Sequence, residues 1–97
     1  MFLGYDQITV TAAVQTVANL TVPAAATHVQ IQGETQDTRY TMDNVTNPTQ
    51  TSGMVFSATA PEPVHEFLRE DLQRIRFVRG AGVNGVLNLH YSAGRNI

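Results

Sequence analysis

The segment HVQIQGE, residues 28–34, alternates polar and apolar side chains strictly with a period of two. That rhythm suits a strand with one buried face, and it cannot lay an apolar stripe along a helix. Val29 and Ile31 then face a core, and His28, Gln30 and Gln32 face away from it. The same rhythm recurs along the chain, carried by β-branched residues. QITVTA sets Ile8 and Val10 against Thr9 and Thr11. AVQTVANLTV extends the pattern, with Val14, Leu20 and Val22 as inward candidates, until Pro23 ends it because proline cannot donate to a central ladder. TRYTM places Tyr40 and Met42 on one face, and SGMVFS resumes strand character around Val55. VLNLHYS puts Leu87, Leu89 and Tyr91 in one phase and Val86, Asn88 and His90 in the other.

VHEFLREDLQRIRFV reads two ways. Val64, Phe67, Leu68 and Leu72 fit a helical stripe. VHEFL and RIRFV also fit two strands joined by a charged turn at 69–73, and a lone helix sits poorly among so many short strands, so the strand reading is preferred. The prolines of APEP at 60–63 break the chain before it, and GAGVNG from Gly80 reads as a hairpin turn. The expectation is an all-β fold: one antiparallel, immunoglobulin-like β-sandwich of about seven to eight short strands. One domain spans 1–97, with short N- and C-terminal arms. Its core is drawn from Ile8, Val10, Leu20, Val29, Ile31, Tyr40, Ile75, Phe77, Leu87 and Leu89.

Composition narrows the function classes. The chain has 97 residues, 42% hydrophobic and only 14% charged, against about 25% charged in ordinary soluble domains. Its positive charges are all arginine, and the net charge is −2. A nucleic-acid or anionic-membrane surface needs clustered positive charge. The local run Arg69, Arg74, Arg76 and Arg79 is interrupted by Glu70 and Asp71, so neither partner is expected. No cysteine is present, which removes disulfides, thiolate nucleophiles and cysteine metal sites. MFLGYDQITV lacks the basic start and long apolar run of a signal peptide. Synthesis in a cytoplasm is the expectation.

Candidate chemistry is sparse. His28, His65 and His90 share no metal-ligand spacing, so no metal or other cofactor is expected. Ser52, Ser57 and Ser92 lie in no Gly-x-Ser-x-Gly elbow. GAGVNG precedes a strand, where a phosphate loop would precede a helix N-terminus. Glu62, Glu66, Glu70 and Asp71 bunch in one segment, whereas a glycosidase needs two carboxylates across a cleft. The acceptor patterns Asn19-Leu20-Thr21 and Asn44-Val45-Thr46 read as chance without a secretory signal. No catalytic residue is assigned, and the expectation is a protein that is not an enzyme.

The most distinctive stretch is RYTMDNVTNPTQTSGMVF, residues 39–56. Asp43 and Asn44 bend backbone through Asx turns and tolerate positive φ. Pro48 fixes its own φ, Thr49 can satisfy loose backbone groups, and Gly53 gives freedom where the chain re-enters a strand. These five residues form a turn-building motif that needs no substrate. The stretch resembles a Tyr-Thr-x-Asp-Gly … Pro-Thr … Ser-x-Gly motif found in two settings. One is the immunoglobulin-like C-terminal domain of chitobiase-type glycosidases. The other is a group of short virion proteins of tailed bacteriophages, similar also through ITVTA, LQRIRFV and LNLHYS over residues 6–92. Asn44 stands where glycine is usual, and one extra residue separates Asp43 from Pro48.

The resemblance implies a bacteriophage structural protein on the outside of the capsid, a decoration or cement protein in the virion. Its implied partners are the major capsid protein and further copies of itself, a trimer where the sites are three-fold. The expected contacts are Phe2, Leu3 and Tyr5, an apolar start ahead of the first strand, and Arg95 and Ile97 of the tail AGRNI. The alternatives are a carbohydrate-binding module, with Tyr40 or Tyr91 as sugar platforms, and a structural protein of the phage neck, tail or fibre base.

Overall fold

A computed structural model describes residues 1–59 and 64–94. The APEP break with Glu62, and the expected contacts Arg95 and Ile97, lie outside the described residues. The chain forms the all-β antiparallel sandwich that the alternation predicts. Eight strands run in order: β1 (Phe2–Val10), β2 (Gln15–Thr16), β3 (His28–Glu34), β4 (Thr38–Thr41), β5 (Met54–Phe56), β6 (His65–Leu68), β7 (Arg76–Arg79) and β8 (Gly85–Ser92). A single helical turn, α1 (Arg69–Leu72), bridges β6 and β7 at the charged turn. No helix among the described residues is long and apolar enough to cross a membrane.

The strands make two sheets of four, β1-β8-β3-β6 (sheet A) and β2-β7-β4-β5 (sheet B). Four antiparallel pairs, β1 with β8, β2 with β7, β3 with β6 and β4 with β5, describe one long hairpin. The pairs β3 with β8 and β4 with β7 fold that hairpin over itself. This winding is the order of a jelly roll, the eight-stranded double-sheet sandwich. The last strand lies between the first and third, whereas an immunoglobulin constant-type sandwich keeps its last strand in the other sheet.

The inward phase of each strand fills the space between the sheets. Val10, Val29, Ile31, Leu87, Leu89 and Tyr91 come from sheet A, and Tyr40, Phe56 and Phe77 from sheet B, with Leu72 and Ile75 closing one end. Ile8 and Leu20 pack against this core while only partly buried. Tyr40 stacks on Phe56 at 4.0 Å between centroids, and Phe67 of the opposite sheet meets both rings edge-on.

Three local expectations change. AVQTVANLTV is not one strand: only Gln15–Thr16 pairs, and Val17–Asn19 forms a 3-10 turn. Thr16 caps that turn, accepting from the Ala18 amide, while Asn19 accepts from the Thr16 amide. Two polar residues three apart thus satisfy the turn's open amides, and the local cap prevails over the apolar rhythm. Val14 consequently lies exposed. GAGVNG is not a hairpin turn either, because β7 and β8 belong to different sheets. Finally, the N-terminal residues are no arm. β1 begins at Phe2, and Phe2, Leu3 and Tyr5 lie within it.

Candidate functional site

The loop 42–53 is held by its own polar groups and by donors from the neighbouring strands. Asp43 Oδ1 accepts from the amides of Val45 and Thr46 at 3.0 and 2.8 Å, and Oδ2 accepts from the Thr46 hydroxyl at 2.6 Å. These bonds favour the charged form and lower the Asp43 pKa to about 2, the Thr46 hydroxyl contributing most. Asn44 sits in the left-handed region at φ 59°, a conformation that asparagine visits more readily than most residues. Pro48 is buried. Thr49 and Ser52 bridge each other through both backbone amides. Gly53, at φ 118°, brings its Cα so near the Tyr40 carbonyl that a Cβ would stand 3.0 Å from that oxygen. From the next strand, Arg76 reaches in and donates to the carbonyls of Asn44 and Val45 and to Asn47 Oδ1.

Other charged groups also hold backbone. Arg69 Nη1 donates to the carbonyls of Pro23, Ala24 and Ala26, fixing the connector ahead of β3. Arg39 donates to the Gly53 carbonyl, and Asp37 accepts from the Ala58 amide. Asp6 takes the Tyr91 hydroxyl at 2.6 Å and the Thr21 amide at 2.7 Å. Burial, and then this carboxylate, push the Tyr91 pKa well above the ordinary tyrosine range. Among the described residues no three histidines, cysteines or carboxylates come together as a metal site.

Two outer faces remain. On sheet B, the row Val55, Arg39, Val78 crosses three strands on the side opposite Tyr40 and Phe77, but Val78 is buried, so the row shows Val55 and Arg39. Val55 is at the edge, and Val45 at the tip of the adjoining loop is 75% exposed. On sheet A, the polar phase of three neighbouring strands forms a groove of about 320 Å³. Register places Tyr5, His90 and Gln30 in one row and Gln7, Asn88 and Gln32 in the next. Asn88 Oδ1 accepts from the Tyr5 hydroxyl and from Gln7 Nε2, and Asn88 Nδ2 donates to Glu34 at 3.1 Å.

Phe2 and Tyr5 both pack on the His90 ring, with centroids 5.0 and 4.9 Å away. Residues three apart on a regular strand face opposite ways. Here the register shifts between Phe2 and Gly4, so the extra residue, Leu3, is absorbed and the two rings share a face. Leu3 turns toward the core. Of the expected contacts, then, Phe2 and Tyr5 stand together, each about half exposed, at 53% and 52%. Tyr40 and Tyr91 are buried and offer no sugar platform. The sequence alone assigns no binding role to Gln7, Gln30, Asn88 or His90. Their signal was the polar phase of each strand, but only the winding reveals that β1, β8 and β3 are neighbours. Comparison with protein-family models, with curated proteins and with solved structures finds no match.

Proposed function

We propose that this chain is a non-enzymatic structural protein of a tailed bacteriophage, bound to the outside of the assembled capsid as a decoration, or cement, protein. The observation that carries the reading is the locked loop 42–53, with Val45 exposed at its tip and Val55 exposed on the adjoining edge strand. A loop whose polar groups are satisfied by its own side chains and by adjoining strands loses little conformational freedom on docking, so its apolar tip can contribute to affinity at small entropic cost. Arg69, Arg76, Asp6 and Asp43 tie down backbone at separate places in the fold. The motif resemblance of 39–56 points the same way, and jelly rolls recur in viral shells, although a fold alone does not fix a function. In this reading Val45, Val55 and the stem of Arg39 meet the major capsid protein, and copies of the chain associate where capsid subunits meet. Binding only the assembled lattice stabilises that lattice by mass action.

The test is binding of the purified chain to capsids that lack it, set against unassembled capsid protein. The expected result is saturable binding to assembled particles alone. Val45→Asp should weaken it by about tenfold or more, equivalent to at least about 1.4 kcal/mol, and leave the melting temperature unchanged. Equal binding to unassembled subunits, or undiminished binding by the variant, contradicts the proposal. Binding confined to isolated tails or necks would instead support a neck, tail or fibre-base protein.

A further inference from the structure

We propose that the groove on the outer face of sheet A is a binding site for a neutral oligosaccharide. The inference does not rest on capsid docking, which uses the opposite face. The groove's chemistry selects the ligand class. Side-chain amides both donate and accept, as sugar hydroxyls do, and those of Gln7, Gln30, Gln32 and Asn88 line two adjacent rows of the groove. The half-exposed Tyr5 ring, propped edge-on against His90, offers an apolar surface to the C–H face of a pyranose. The same face carries the carboxylates of Glu34 and Glu66, and its strands present no arginine there. Acidic polysaccharides and phosphates are therefore repelled, and an uncharged chain fits.

Preorganisation adds to the case. Asn88 has its carbonyl oxygen doubly occupied and its amide nitrogen on Glu34, so it holds Tyr5, Gln7 and Glu34 in fixed positions. With Asn88 committed to the protein, Gln7 Oε1 and the Gln30 amide are the groups placed to meet sugar hydroxyls. Fixed polar groups lose less entropy on binding than mobile ones. The groove volume matches the lower end of small-molecule sites, enough for about two sugar rings.

The experiment titrates the 15N-labelled full chain with a panel of neutral hexaoses built from glucose, galactose, mannose, xylose and N-acetylglucosamine. Hexagalacturonate is the acidic control. At least one neutral hexaose is expected to shift the amides of β1, β3 and β8 around Tyr5, Gln30 and His90, saturating with a Kd below about 1 mM. The acidic control should not. Tyr5→Ala and Gln30→Ala should each weaken binding about tenfold with unchanged amide dispersion, and Val45→Asp should leave it intact. The proposal is overturned if no neutral hexaose produces saturable shifts or if the shifts map away from these strands. Equal binding of the acidic control, or wild-type affinity in both groove variants, overturns it too.

Discussion

Asp43 closes a turn that its backbone cannot close alone. Three donors converge on its carboxylate, and the one-residue cap fixes the entry to a twelve-residue excursion from the sheet. The folded pKa is depressed to about 2, below the ordinary value of about 3.9. Its contribution to stability is therefore complete above about pH 4 and lost as pH falls toward 2. Carboxyl carbon shifts followed by NMR should give Asp43 a midpoint near 2, and the Thr46 amide should move with it. Thr46→Val, which removes the strongest donor, should bring the midpoint up toward the ordinary range. A wild-type midpoint near 4 would contradict the account of the loop as internally locked. The turn residues were legible in the sequence because their chemistry is local: Asx geometry, a fixed proline φ and a left-handed asparagine require no partner elsewhere. The bulge at Leu3 was not legible, since it exists only as a mismatch between β1 and β8.

At the level of elements, the strands with the purest alternation were readable. β3 and β8 bury the residues that the rhythm assigns inward, because a period of two sorts side chains before any neighbour is known. The short strands were harder. β2 pairs over two residues, so its partner β7 decides its existence more than its own sequence does. The passage from β7 to β8 shows why turn composition misleads: GAGVNG has hairpin residues, yet it carries the chain from one sheet to the other. Gly80 and Gly85 serve close approach. A Cβ on Gly85 would stand 2.7 Å from the Gln36 carbonyl oxygen, and Gly80 donates its amide to the Asp37 carbonyl at 2.7 Å. The β3–β4 turn therefore nests against this crossing. Gly85→Ala should destabilise the fold by about 1–3 kcal/mol, the usual cost of overpacking, readable as a lower denaturant midpoint at unchanged slope. Wild-type stability would mean that the two connections do not touch.

The whole molecule is a slab of 36 × 30 × 18 Å with two broad faces of different character. Sheet B shows Val55 with Arg39 and Arg76, and sheet A shows amides, rings and two glutamates. Strand order decides this division, and order depends on contacts between distant segments, which periodicity does not encode. A module with one docking face and one polar face can cover a lattice while exposing a second surface. Many copies then compensate for modest individual contacts. The most direct measurement is the amount and position of the chain in purified particles of the phage proposed to encode it, by quantitative mass spectrometry and particle imaging. The account predicts many copies spread over the capsid exterior, each with sheet B toward the shell. Absence from the particle, or a few copies confined to the neck or tail, would contradict it.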